Sequence, residues 1–263
     1  MTAAASEPSV RVERDGAVAT LALNEPKTMN AMSAGIKAGI EDNLPGLLAD
    51  PQVRAIVITG TGKAFCAGGD IRSMDDRGTL SVRNRMTRTY RWLIPLLTAD
   101  KPIICAVNGA AAGAGLSLAL TGDLILASRD ARFKAGFPGL GAAADLGLAY
   151  TLPRAIGYQR ASDILLTNRE VSAEEAHAMG LVARLVEPEA LMATTMEVAR
   201  ALAAGPTVSL GLTKRLLRRA YELPVEGFLE QEAMSQVVAF GSEDFAQGVA
   251  AFKGKRKPDF HGR

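Results

Sequence analysis

Three continuous apolar runs punctuate the first half of the chain, each closing on glycine or a small polar residue. They lie at residues 55–60 (Ala-Ile-Val-Ile-Thr-Gly), 103–107 (Ile-Ile-Cys-Ala-Val) and 123–128 (Asp-Leu-Ile-Leu-Ala-Ser). Unbroken rather than alternating hydrophobicity predicts parallel strands buried on both faces. Upstream, Val10 to Leu23 alternates apolar and polar residues around Arg14-Asp15-Gly16, which predicts an antiparallel hairpin. Between the runs the spacing becomes helical. Ser33 to Ala49 reads as a helix with Ser33 as N-cap, and residues 72–98 read as another, with Tyr90, Trp92, Leu93, Leu96 and Leu97 recurring along it. Strands separated by helices imply an α/β fold with parallel pairing and right-handed crossovers.

Residues 131–145 are Gly-rich and irregular. Leu146 to Ile156 and Tyr158 to Thr167 are expected to be helices, and Ser172-Ala-Glu-Glu175 is a capping box that opens a third. Leu181 to Val186 is strand-like. The pattern then stays helical over 189–204, 206–221 (Pro206 in the first turn), about 225–240, and 242–253 behind Ser242. No internal repeat or linker interrupts the chain. The change of composition near residue 190 divides it into an α/β part, 1–190, and a helical part, 191–263.

The candidate chemistry lies where two of the strands end. After Ile103–Val107 comes Asn108-Gly109, then only Ala and Gly through Gly115, then an apolar helix expected over Leu116 to Leu120. Side chains this small let a ligand approach the main chain, and the first N–H groups of a helix lack internal partners. The strand at 55–60 ends similarly, in Thr61-Gly-Lys-Ala-Phe-Cys-Ala-Gly-Gly-Asp-Ile71. Two such loops facing each other would supply the paired donors of an oxyanion hole. Spacing alone also allows a small-residue helix threaded through a crowded core.

Composition narrows the classes. With 263 residues, 48% hydrophobic, 22% charged and net charge +2, the chain has room for one large core and no strong bias toward nucleic acid. Its two cysteines, Cys66 and Cys105, sit in apolar contexts and read as free thiols of a reducing compartment. His177 and His261 are the only histidines, which leaves little basis for a zinc site or a His-based triad. The N-terminus lacks a basic and apolar signal, and the run from Ile103 to Leu120 is broken by asparagine, serine and glycines. A cytoplasmic protein without membrane insertion is expected.

Lys63-Ala-Phe-Cys-Ala-Gly-Gly-Asp-Ile71 resembles the first oxyanion-hole motif of the crotonase (enoyl-CoA hydratase/isomerase) superfamily. Lys101-Pro-Ile-Ile-Cys-Ala-Val-Asn-Gly-Ala-Ala-Ala-Gly-Ala-Gly115 resembles the second. Leu152-Pro-Arg-Ala-Ile-Gly157, Ser172 to Val182 and Phe252-Lys-Gly-Lys-Arg-Lys-Pro258 extend the resemblance over essentially the whole chain. It implies a spiral of ββα turns, a C-terminal helical region that assembles trimers, often paired into hexamers, and an acyl-CoA substrate. The thioester carbonyl is expected between the N–H groups of Ala67 and Ala114. The loop of Ala64, Cys66, Ala67, Gly68, Gly69 and Asp70 would lie against adenine, with Lys27 near a CoA phosphate. Phe252 and Lys255 would complete a neighbouring subunit's CoA site. Glu25 stands where many relatives carry Arg. Coenzyme A is part of the substrate, and no metal or redox cofactor is implied.

The resemblance also separates the chemistries. Hydratases of the family use two glutamates, which would fall at Ser117 and Phe137, so an ordinary hydratase of fatty-acid β-oxidation is the weaker expectation. Asp145 falls where several isomerases hold their base. Ala143-Ala-Asp-Leu-Gly147 is similar to dienoyl-CoA isomerases, which would need further carboxylates near 117 and 137. Leu152-Pro-Arg154 and Gly113 to Leu120 are similar to the ring-epoxide isomerases of phenylacetate degradation. An isomerase with Asp145 as proton shuttle is therefore expected. Benzoyl-CoA dehalogenases carry an aspartate nucleophile here, and Leu166-Thr-Asn-Arg169 is similar to theirs, but no histidine stands near residue 90. An N-cap of a helix starting at Leu146 would explain Asp145 without catalysis. Asp70 is the lesser rival as base. Met74, Tyr90, Phe137 and Leu140 are candidates for the acyl pocket, as are Phe65, Phe133 and Leu148, although each reads more readily as plain core. Lys214, Arg215, Arg218 and Arg219 share one helical face; one branch of the superfamily binds RNA, but a solvated face accounts for the cluster, so no nucleic-acid partner is expected.

Overall fold

The computed structural model describes residues 7–263. The alternating N-terminal segment forms its hairpin: β1 (Val10–Asp15) and β2 (Val18–Leu23) pair antiparallel, with Asp15 opposite Val18. Gly16, at φ +57°, takes the left-handed turn position between them. The three apolar runs become β3 (Ala55–Gly60), β5 (Ile103–Val107) and β7 (Leu124–Ser128), all parallel to β2. With β10 (Arg184–Val186) they complete a six-stranded sheet in the order β1-β2-β3-β5-β7-β10.

A second, four-stranded sheet is built from strands of three residues: β4 (Ala64–Cys66), β6 (Ala110–Ala112), β8 (Arg132–Lys134) and β9 (Glu170–Ser172), in that order. Successive turns of chain visit both sheets, β3 then β4, β5 then β6, β7 then β8. This alternation is the spiral of ββα turns, and it places β4 beside β6 although more than forty residues separate them.

The continuous apolar runs have partners on both faces. Ile56 and Ile58 of β3 point into the main core, while Ala55 and Val57 point the other way, onto Leu191, Val198, Ala199 and Ala203 of α7 (Leu191–Ala203). Helix α7 lies beyond the change of composition at 190, yet it closes the back of the main sheet. The front is covered by α1 (Ala34–Ala49), whose Ile36, Ile40, Leu44 and Leu47 are buried, and by Trp92, Leu93 and Leu96 of α2 (Thr79–Thr98). Helices α3 (Ala114–Ala119), α4 (Leu148–Ile156), α5 (Tyr158–Thr167) and α6 (Ala173–Ala178) follow. The chain ends in α8 (Thr207–Arg219), α9 (Val225–Phe240) and α10 (Glu243–Lys253). Ser33, Ser172 and Ser242 cap α1, α6 and α10 by accepting from the N–H groups of Ile36, Glu175 and Phe245.

Several boundaries differ from expectation. The helix expected over 72–98 begins only at Thr79, because Asp70 caps a separate 3-10 turn, Ile71–Ser73. The irregular segment 131–145 contains β8, and the strand-like run 181–186 pairs only at its end. The cationic face of α8 is only partly a solvated face: Arg215 and Arg219 are exposed, whereas Lys214 is largely enclosed. Lys214 Nζ pairs with Asp123 Oδ2 at 2.6 Å and donates to the Lys101 carbonyl, with only 11% of its side chain exposed. Arg215 pairs with Asp100, Arg218 donates to the Leu97 and Thr98 carbonyls, and Arg219 pairs with Glu222. Lys214, Arg215 and Arg218 thus tie α8 to the segments 97–101 and 123, while the Arg219 pair stays local. In contrast, α9 buries none of its residues and exposes Val225, Leu229, Met234, Val237, Val238 and Phe240. No helix among the described residues is long and apolar enough to cross a membrane.

Candidate active site

The pairing of β4 with β6, Ala64 opposite Ala110 and Cys66 opposite Ala111, brings the two Gly/Ala loops together. Their small residues are sterically required. A Cβ on Gly115 would overlap the Cys66 carbonyl oxygen and stand 2.8 Å from its carbon, and one on Gly109 would stand 2.9 Å from the Lys63 carbonyl carbon. Gly68 (φ +111°) and Gly113 (φ +53°) meet across the seam, each with its Cα within 3.8 Å of the other's missing Cβ. The loops are thus packed backbone to backbone, so N–H groups rather than side chains face outward from them.

Which N–H groups are available corrects one expectation. Ala114 is the first residue of α3, nearly buried at 5% exposure, and its N–H has no acceptor among the described residues. The Ala67 N–H, by contrast, donates to the Met29 carbonyl at 3.0 Å. Two residues on, no protein acceptor among the described residues takes the Gly69 N–H, and a Cβ on Gly69 would overlap the Met74 methyl. In this loop the Gly69 N–H rather than that of Ala67 is therefore left unengaged among the described residues. With only six residues, α3 has a small dipole, and the hydrogen bonds themselves are what this pair can offer an oxyanion.

Asn30 fixes the first loop. It is fully buried, adopts the left-handed conformation (φ +55°) that Asn tolerates, and its amide donates to the Thr61 and Ala64 carbonyls while its oxygen accepts from the Glu25 N–H. Asp70 holds the loop's other end by accepting from the Arg72 N–H and guanidinium, which keeps its carboxyl below the ordinary range. That geometry suits a loop-shaping residue better than a base. Burial pushes the Cys66 thiol up to about 11, so it is held as a thiol.

Asp145 is tied to α3, the helix that follows the second loop, through its main-chain carbonyl, which accepts from the Ser117 hydroxyl at 3.0 Å. It is not an N-cap: α4 begins at Leu148 with Gly147 preceding it, and Leu146 and Gly147 are both left-handed, at φ +48° and +77°. The turn takes the carboxylate away from the helix end. Asp145 is half-buried, and its Oδ1 is enclosed with no hydrogen-bond donor. Burial raises its pKa, partly offset by the positive charges of Lys37 on α1 and Arg85 on α2. Lys37 is in turn pushed down, chiefly by its own burial. Spacing gave no signal for Lys37 or Arg85; only the packing of α1 against α2 brings them here.

At the two positions expected to carry glutamates in hydratases, Ser117 is 1% exposed and Phe137 9%. Met74 lies beside Gly69 of the first loop but is exposed, as are Tyr90 and Leu140, whereas Phe137 is nearly buried. Phe65, Phe133 and Leu148 are completely buried and belong to the core. Lys27 is exposed on the 3-10 turn Pro26–Thr28, next to the Gly62 turn of the first loop. The Glu25 carboxylate accepts from the Ser33 hydroxyl at 2.7 Å, turned toward α1. Phe252 and Lys255 are exposed at the far end of α10. Among the described residues no three His, Cys, Asp or Glu side chains group as a metal site.

Known proteins resemble this chain over nearly its whole length. The family model described as enoyl-CoA hydratase/isomerase matches residues 13–263. The 1,2-epoxyphenylacetyl-CoA isomerase of Escherichia coli K12 is 38% identical over 94% of this chain and 95% of its own length. The short-chain-enoyl-CoA hydratase of Clostridium acetobutylicum is 32% identical over 95% and 96%. The crystal structure of an enoyl-CoA hydratase from Mycobacterium smegmatis superposes with a TM-score of 0.91 at 31% identity, covering 97% of this chain and all of that one.

Proposed function

Because the chain belongs to the enoyl-CoA hydratase/isomerase family, we propose that it is an acyl-CoA isomerase in which Asp145 carries the proton. The observation that supports this reading is the enclosed, donor-free Oδ1 of Asp145, set against Ser117 and Phe137 at the positions of a hydratase's glutamates. One carboxylate cannot both activate water and protonate carbon in the manner of a pair. It is enough for a proton shift.

The thioester oxygen accepts from the N–H groups of Gly69 and Ala114. Asp145 removes a proton from C2, the electron pair flows into the thioester, and the charge rests on the oxygen between the two donors. The same carboxyl returns the proton at C4, so a 3-enoyl-CoA becomes a 2-enoyl-CoA with all atoms conserved. A ring-epoxide arylacetyl-CoA, the kind of substrate named by the Escherichia coli relative, is the second substrate type. The shuttle draws on no metal or redox group, and coenzyme A arrives with the substrate. Adenine lies along Ala64 to Asp70 and a phosphate near Lys27. The apolar surface of α9 joins copies into a trimer or hexamer, with Phe252 and Lys255 reaching a neighbour's CoA, and the enzyme works in the cytoplasm.

Incubation with a panel of 2-enoyl-, 3-enoyl- and arylacetyl-CoA substrates, followed by mass spectrometry and NMR, tests the reading. Isomerisation is expected, and Asp145→Asn is expected to lower it by at least about 100-fold, the lower end for a general base. Full activity in Asp145→Asn refutes the assignment of the base. Rapid hydration of crotonyl-CoA refutes the isomerase reading, and halide release from an aryl-CoA halide would make Asp145 a nucleophile instead.

A further inference from the structure

The side chain of Ser117 touches both halves of the site. Its Oγ lies 3.0 Å from the main-chain carbonyl oxygen of Asp145 and 3.2 Å from that of Gly113, and the residue is 1% exposed. A hydroxyl has one proton, so it donates to these two carbonyls in alternation or as a shared bond. Gly113 directly precedes the Ala114 donor. A single buried hydroxyl therefore ties the loop that presents the oxyanion donor to the turn that presents the carboxylate.

The turn needs such a tie. Leu146 carries a Cβ and a bulky side chain in the left-handed region, where residues other than glycine are rare unless their surroundings impose it. The relaxed alternative lets the helix begin two residues earlier with Asp145 as a conventional cap, its carboxylate bonded to helix N–H groups. What opposes this is local: the Asp145 carbonyl accepts from the Leu148 N–H at 3.0 Å and from Ser117, and Leu146 is buried at 6% exposure. Remove the Ser117 hydroxyl, and a buried carbonyl loses the bond that anchors the turn to α3.

We propose that Ser117 is a positioning residue, whose hydroxyl holds the Asp145–Gly147 turn in its left-handed form and so keeps the carboxyl in its enclosed position. It acts through Asp145 and the turn, without touching the substrate. The importance of this for turnover rests on Asp145 being the base, as proposed above; the positioning itself does not. The charged groups facing the Asp145 carboxyl are Lys37 from α1 and Arg85 from α2, and neither contacts Ser117.

The test uses the full chain with 13C-labelled aspartate, the Asp145 carboxyl signal being assigned by its loss in Asp145→Asn. Ser117→Ala removes one oxygen without adding volume, and Ser117→Thr keeps the hydroxyl. In Ser117→Ala the carboxyl leaves its enclosure, so its titration midpoint is expected to fall toward the ordinary carboxylate range, while Ser117→Thr stays near wild type. Isomerisation kcat is expected to drop about 10- to 100-fold with KM within about threefold, as for a reacting group misplaced by about 1 Å. In the Asp145→Asn background Ser117→Ala should lower the residual rate by less than about twofold, because the group it positions is gone. An Asp145 titration that stays in place in folded Ser117→Ala overturns the proposal, and so does an equal loss in the Asp145→Asn background. A titration that moves without any change in isomerisation supports the positioning and removes Asp145 from the role of base.

Discussion

Adding one methyl group at Gly115 should separate the two loops on which the site depends. The Cβ of an alanine there would overlap the Cys66 carbonyl oxygen and lie 2.8 and 2.9 Å from the carbonyl carbon and Cβ of the same residue. The obstructing atoms are mostly backbone, and β4 is pinned by its pairing with β6, so no side chain can rotate out of the way. Restoring ordinary contact requires β4 and α3 to part by on the order of 1 Å. Overpacking of this kind costs about 1–3 kcal/mol, which for a domain of this size lowers Tm by about 2–12 °C. The functional loss should be larger, because the same displacement moves the Gly69 and Ala114 N–H groups apart, and a misplacement of about 1 Å is worth about 100-fold in rate. Calorimetry and isomerase assays on Gly115→Ala measure the two effects. The matched control is Gly46→Ala in α1, where a Cβ meets nothing within 4 Å; it should stabilise by about 0.5–1 kcal/mol and leave activity intact. A Gly115→Ala protein with wild-type Tm and rate would refute the claim that the loops are held backbone to backbone.

Asp145 should also be visible in the pH dependence of stability. Burial holds its carboxyl above the ordinary value of 3.8, so the folded protein binds this proton more tightly than the unfolded chain does. Stability is therefore lost as pH rises from about that ordinary value through the folded-state value, and Asp145→Asn should raise Tm at neutral pH, with the gain vanishing in acid. Scans at the two pH values check this; a lower Tm at pH 7 would mean that the attraction of Lys37 and Arg85 outweighs burial. Lys214→Met removes the ion pair of Asp123, which keeps only the Ile103 N–H, and leaves the Lys101 carbonyl without its donor. Since Asp123 remains one-third exposed and keeps a donor, the expected loss is that of a broken charged hydrogen bond, about 1–3 kcal/mol by denaturant titration. A neutral Lys214→Met would return α8 to the status of a solvated helix.

Much of the fold was legible along the chain because the signals were local. Strands β3, β5 and β7 are buried on both faces and so read as unbroken apolar runs, and Ser33, Ser172 and Ser242 announce helix starts through chemistry confined to one turn. The two Gly/Ala loops were recognisable as places where something meets the main chain. That they meet each other was decided by the β4–β6 pairing, and a strand of three alanines has no periodicity by which to be found. The choice between the Ala67 and Gly69 N–H groups turned on the Met29 carbonyl, nearly forty residues away, which takes the first of them. Asp145 was identifiable as a carboxylate at the right place, but its sequence context suggested a helix cap. Two left-handed residues and a serine hydroxyl from another helix moved the helix start to Leu148 and left the carboxylate enclosed. The basic face of α8 likewise looked solvated because Asp100 and Asp123 lie about a hundred residues upstream. Periodicity and capping are properties of neighbouring residues and can be read from one stretch. Which hydrogen bonds and charges are already satisfied depends on atoms that only the folded chain brings within 3 Å.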